Sequence, residues 1–168
     1  PTAPAILSSR SRRSCWSCRP WCHSASPWLA AAADEIFADA SSVVGSIGVI
    51  SAGFGAHVFL ARQGLERRVH TAGESKSMLD PFRPENEEDV ARLKVLLNDI
   101  HANFIDHVTE RRGPKLSDEE NLFTGEIWLA RRAEALGLID GIGHLKPLLK
   151  DRFGDKVRMR RYGVKRGL

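Results

Sequence analysis

The clearest periodicity in the chain lies near its middle. In "ENEEDVARLKVLLNDIHANFIDHVTERRG", apolar residues recur at Val90, Leu93, Leu97, Ile100, Phe104 and Val108. Spacings of three and four put them on one face of a helix. Acids crowd the start of this segment and Arg111 and Arg112 its end, which suits the two poles of the helix dipole, and Gly113 stops it. Upstream, "WLAAAADEIFAD" predicts a small-residue helix over Trp28–Ala33 and then a short extended piece over Glu35–Ala38. In "SSVVGSIGVISAGFG", β-branched runs at Val43–Val44 and Ile47–Ile50 are broken by Gly45 and Gly48, the pattern of a turn leading into a buried strand.

Shorter elements fill the remainder. "AHVFLARQGLE" predicts a helix ending near Gly64, and "RRVHTAG" a strand around Val69. "EIWLARRAEALG" predicts a helix closed by Gly137, followed by a short strand at "LID", a helix at "HLKPLLKDRFG" and a last strand or frayed tail at "KVRMRRYG". Strands and helices alternate with short connections. The fold class expected is therefore α/β, with helices packed on a largely parallel sheet.

The length of 168 residues suits one domain or most of one. No run approaches the ~20 apolar residues of a membrane-spanning helix, and the N-terminus lacks the basic-then-apolar pattern of a secretory leader. The net charge of +4 raises the question of nucleic acid, and its distribution argues against it. Residues 1–27 hold Arg10, Arg12, Arg13 and Arg19 with no acid, and residues 28–168 sum to zero. A nucleic-acid partner using those arginines and the "KVRMRRYGVKRG" tail has only Tyr162 for stacking, and basic runs are usually solvated.

Residues 1–27 also contain Cys15, Cys18 and Cys22, seven serines and no glycine. Three readings fit this segment: a disordered arm, a small metal-binding extension, or sequence out of frame with the domain that starts at Trp28. Zinc needs four ligands in a tetrahedron. Cys15, Cys18, Cys22 and His23 number four, but two of them are adjacent and converge poorly on one ion. Cys15 and Cys18 have redox spacing, but no strand is expected before them. Neither a metal nor a cofactor is expected.

One short loop carries candidate chemistry. In "TAGESKSMLDPF", Lys76 lies between Ser75 and Ser77, with Met78, Leu79 and Phe82 following as apolar cover. A lysine works as a general base only when its pKa falls from about 10.4 to roughly 7–8. Such a drop disfavours the charged form by roughly 4 kcal/mol, and burial is the usual cause. A solvated loop lysine paired with Glu74 is the competing reading.

From Trp28 to about Val157 the chain resembles the signal peptide peptidase A family, serine peptidases with a Ser–Lys dyad. Four blocks carry the resemblance: "WLAAAADEIFADASSVVGSIGVI", "LERRVHTAGESKSMLDPFRPENEEDVARLK", "FIDHVTERRG" and "LFTGEIWLARRAEALGLIDGIG". The resemblance implies a Clp protease/crotonase-like fold and peptide substrates in an extended conformation, such as remnant signal peptides. It matches Lys76, in Gly73 to Lys76, to the general base, and Ser46 of "GSIGV" to the serine that holds the lysine amine. Gly45 and Gly48 would let substrate backbone approach the strand beside them, or serve as turn glycines.

The nucleophile position, counted back from "WLAAAADE", falls on Ser24 of "HSASPW". Ala25 and Ser26 replace the family's two glycines there, and Pro27 its aromatic residue. The family's upstream strand and glycine-rich loop have no counterpart in Pro1 to His23, so the domain over residues 28–157 is expected to be incomplete at its N-terminus, with residues 158–168 a basic tail. The resemblance also implies a homo-oligomer, and a membrane location reached only through missing upstream sequence. A second expectation keeps the fold without the catalysis: an inactive homologue acting as an oligomeric scaffold.

Overall fold

The computed structural model describes residues 5–8, 14–18, 28, 30–73, 75–119 and 121–158. Ser24, the Cys22–His23 pair and the tail from residue 159 lie outside the described residues. The chain divides into two compact units, one formed by residues 1–48 and 104–168, the other by residues 49–103.

The first unit holds the sheets. Strands β1 (Ala5–Ser8), β2 (Ser14–Cys18), β3 (Glu35–Ala38) and β6 (Gly141–Ile142) form a four-stranded sheet in the order β1-β2-β3-β6. β1 runs antiparallel to β2, whereas β2–β3 and β3–β6 are parallel. Trp16 lies opposite Ile36, and Ala38 opposite Ile142. The sequence pattern expects no strand before Cys15, yet two strands form, one of which contains Cys15 and Cys18. A second, antiparallel pair joins β4 (Val43–Gly45) to β5 (Ile127–Leu129), with Val44 opposite Trp128. The "EIWLARRAEALG" segment thus begins as strand and becomes helix α3 (Ala130–Ala135) only after Leu129.

Burial follows from residue type. Ile36 and Ala38 of β3 are buried while Glu35 and Phe37 between them are half-buried, the alternation of a pleated strand. Ile36, Val44 and Ile47 join Phe104, Val108 and Leu136 in one apolar core. Burying a side chain of that size contributes roughly 1.5–3 kcal/mol. The long helix α2 (Glu87–Arg112) forms as its pattern requires, with Phe104 and Val108 buried and Val90, Leu93, Leu97 and Ile100 half-buried. Helix α4 (Leu145–Phe153) ends at Gly154, which adopts φ 82°.

Helix α3 ends in a Schellman arrangement. Gly137 donates to the Glu134 carbonyl at 2.9 Å and Leu138 to that of Ala133 at 2.9 Å. Gly137 has φ 76°, and a side-chain carbon there would collide with the Lys115 carbonyl. Only glycine fits.

The second unit is built differently. It contains the short helix α1 (His57–Arg62), which closes at Gly64 with φ 64°, and the N-terminal part of α2. Ile47–Ile50 and the "RRVHTAG" segment, both expected as strands, have no strand structure. A strand persists where neighbouring backbone satisfies its amides and carbonyls, and Gly45 and Ser46, both at positive φ, turn the chain away after β4. None of the described residues 49–103 is fully buried.

Candidate active site

The Gly45–Gly48 turn in the first unit is held by β5. Gly45 has φ 120°, and a side-chain carbon there would lie 2.6 Å from the Glu126 carbonyl oxygen and 2.7 Å from the Trp128 ring. The space beside Gly45 is therefore filled by this chain's own strand. Gly48 likewise packs toward Gly125. Ser46 between them sits at φ 56°, donates its N–H to the Glu126 carbonyl at 2.6 Å, and accepts from the Gly48 N–H at 2.9 Å. A non-glycine residue in this region is strained, and such strain persists where surrounding contacts fix it. Ser46 is half-buried.

Behind this turn lies an apolar cavity of about 20 Å³, lined by Ala30, Ala31, Ile36, Val44, Ile47 and Leu138 among others. Its alanines belong to the small-residue segment predicted as a helix, and residues 28, 30 and 31 have helical backbone. The C-terminal half of α2 grips that segment. Trp28 stacks on Phe104 with ring centroids 4.9 Å apart, and the His107 Nε2 atom lies 3.2 Å from the Trp28 carbonyl oxygen. Arg111 donates to the carbonyls of Ala31 at 2.9 Å and Ala32 at 3.0 Å, satisfying acceptors that a helix end leaves open.

Lys76 belongs to the second unit, in a loop without regular structure. Its side chain is exposed and lacks the apolar cover expected of Met78, Leu79 and Phe82, of which Leu79 and Phe82 are themselves exposed, and its N–H donates to the Gly73 carbonyl at 3.3 Å. Both serines beside it accept a guanidinium hydrogen bond: Ser75 from Arg92 at 2.9 Å, and Ser77 from Arg83 at 3.4 Å. Three residues beyond Lys76, Leu79 adopts φ 57°. Ser46 and Leu79 are the two non-glycine residues at positive φ among the described residues, and each lies in a segment that carries a candidate site residue.

The structure thus groups Ser46 with Gly45 and Gly48, and places Lys76 in the other unit. Two side-chain clusters had no signal in the sequence. The buried Arg112 and the half-buried Asp140 form an ion pair at 2.6 Å beside Ile36 of β3, and Asp39 bridges Ser41 and His144 at the surface. Hydrogen bonds from the Ser41 hydroxyl and N–H hold the Asp39 carboxyl below its ordinary range, with His144 adding to them. The partners in each cluster are far apart in sequence or lack a motif, so nothing in the pattern joins them. Among the described residues no group of three or more histidine, cysteine or acidic side chains could hold a metal ion. No described helix is long and apolar enough to cross a membrane.

Comparison with known proteins bears on the same segments. The model of Peptidase family S49 matches residues 14–152. The probable protease SohB of Haemophilus influenzae is 30% identical over 136 residues, which is 80% of this chain and 38% of that one. The chloroplastic serine protease SPPA of Arabidopsis thaliana is 31% identical over 127 residues, 72% of this chain and 19% of that one. The Na(+)/H(+) antiporter NhaA of Brucella abortus is 53% identical over 135 residues, 80% of this chain and 18% of that one. The chain therefore spans less than two fifths of each of these relatives. The antiporter name describes a protein of which the matched stretch is under a fifth.

Proposed function

The chain belongs to peptidase family S49, and from that premise we propose that it takes part in serine-type hydrolysis of peptide bonds through a Ser–Lys dyad. In this reading the Ser24 hydroxyl attacks the substrate carbonyl. Lys76, exposed in this structure, takes the hydroxyl proton once bound peptide covers it and removes its water, and returns that proton to the leaving amine. Ser46 orients the lysine amine, and the substrate is an extended peptide such as a remnant signal peptide. The scheme uses no metal and no cofactor.

The observation that carries this reading is the strained Ser46. Its backbone is fixed by the Glu126 carbonyl and by a glycine that tolerates no side chain, beside an apolar cavity. A hydroxyl held at that cost suits a positioning role better than a loose turn. The test is turnover of a fluorogenic peptide together with labelling by a fluorophosphonate. Lys76→Ala is expected to lower kcat/KM by about 10²–10⁴-fold, the usual worth of a general base, and labelling is expected at Ser24. Wild-type turnover in Lys76→Ala would refute the assignment.

A second reading keeps the fold as a non-catalytic, oligomeric homologue. It is supported by the apolar surface of the second unit, where Ile50, Phe54, Phe59, Leu65 and Val95 are exposed. Patches of that kind mark association surfaces, and homo-oligomer formation is proposed under both readings. Absence of fluorophosphonate labelling in a soluble, folded chain would favour the scaffold.

A further inference from the structure

We propose that Arg92 and the Arg67–Asp80 pair are positioning residues for Lys76, clamping the loop that carries it from both sides. The inference rests on the reading of Lys76 as the general base.

The need for a clamp follows from the loop itself. Lysine has a flexible four-carbon stem, and the Lys76 side chain is exposed, so packing does not fix it. The anchoring comes from the flanking residues. One residue before Lys76, the Ser75 hydroxyl accepts from the Arg92 Nη1 atom at 2.9 Å. Arg92 stands on the first turns of α2, where Glu88 at 3.3 Å and Asp89 at 3.4 Å hold its guanidinium. The donor is therefore oriented by rigid helix, and the loop is tied to it.

Four residues after Lys76, Asp80 supplies the second anchor. Its side chain is 4% exposed, and its Oδ1 atom accepts from the Arg67 Nη1 atom at 2.5 Å and the Phe82 N–H at 3.0 Å. The Arg67 guanidinium also lies over the Phe82 ring, 4.7 Å from its centroid. Among the described residues the Asp80 Oδ2 atom is buried without a hydrogen-bond partner. A carboxylate in that setting depends on the Arg67 cation, which locks the loop's exit to the segment before it. Leu79 is held at φ 57° between the two anchors. A base must be placed closely to transfer a proton, and these contacts fix where the Lys76 stem begins.

Limited trypsin digestion of the chain, read by mass spectrometry, measures the clamp without reference to activity. The rate of cleavage after Lys76 is compared with that after Lys156 in the other unit. Ser75→Ala, Arg92→Ala and Asp80→Asn are each expected to speed cleavage after Lys76 about tenfold, the effect of losing a charged hydrogen bond on an opening equilibrium. Cleavage after Lys156 stays at the wild-type rate, and Arg92→Lys recovers part of the protection. With a peptide substrate, the same variants lower kcat while KM holds, and Arg92→Lys recovers part of kcat. Unchanged cleavage after Lys76 in Ser75→Ala and Asp80→Asn overturns the proposal, as does a fall in KM alone. Ser75→Ala removes a single surface hydroxyl and decides the matter if the charge variants unfold. Turnover that survives Lys76→Ala refutes the general-base reading instead, and the cleavage rates still decide the clamp.

Discussion

Arg112 is a charged residue with 3% of its side chain exposed, and its guanidinium is held by directed polar contacts. It donates to Asp140 Oδ2 at 2.6 Å and twice to the Gly137 carbonyl, at 3.0 and 2.8 Å. Asp140 also accepts from the Ile36 N–H at 2.8 Å and from Lys115. The pair thus ties the end of α2 to β3 and to the turn after α3. Removing Arg112 leaves the Gly137 carbonyl without its side-chain donors and Asp140 with only Lys115 and the Ile36 N–H, so Arg112→Ala is expected to cost about 1–3 kcal/mol in denaturant unfolding. Burial pushes the Asp140 carboxyl up, but the hydrogen bonds from Arg112, Lys115 and the Ile36 N–H outweigh it and hold the group below its ordinary range. A depressed folded-state pKa gives stability that is full above the unfolded value and lost as pH falls through the folded one. Asp140→Asn should therefore be less stable at pH 7, with a shallower decline below about pH 4. An acid limb as steep as that of the wild type would show that other carboxylates carry it.

Among the elements, α3 depends most on one position. Its Schellman end needs φ 76° at Gly137, and the Lys115 carbonyl closes the space a side chain would take. Gly137→Ala combines strain with a collision, so a loss of about 1–3 kcal/mol is expected, read as a lowered midpoint in thermal unfolding. An unchanged midpoint would mean that the 113–117 segment moves aside freely. The gripping of Trp28, Ala31 and Ala32 by His107 and Arg111 is a second element-scale device. It was invisible in the sequence because the partner carbonyls lie 79 or 80 positions away along the chain, and Arg111 reads there as a charge at the helix dipole.

At the scale of the whole molecule, apolar burial is uneven. Every fully buried apolar side chain among the described residues lies in the first unit. The second unit leaves Phe54 at 93% and Ile50 at 86% exposure. Surfaces of this kind are unfavourable in water and are relieved by association. Sedimentation velocity is expected to show a dimer or larger assembly, and Phe54→Ser with Phe59→Ser to reduce it toward the monomer. A wild-type chain that sediments as a monomer at tens of micromolar would remove the oligomer from both functional readings.

The amino-acid order alone was enough for α2, for β3 and for the helix stops at Gly64 and Gly137, because helix hydrogen bonds and glycine conformations are settled within a few residues, whereas at Gly113 the chain runs on as a 3-10 turn to Lys115. It also carried the family likeness, which the match over residues 14–152 bears out. The strands were legible only in part. Ser14–Cys18 became a strand beside β3, Ile127–Leu129 one beside β4, and Ile47–Ile50 and residues 67–73 did not, since a strand exists only where another chain segment meets it. The Arg112–Asp140 and Arg92–Ser75 contacts join residues 28 and 17 positions apart, and folding alone brings them within hydrogen-bond distance.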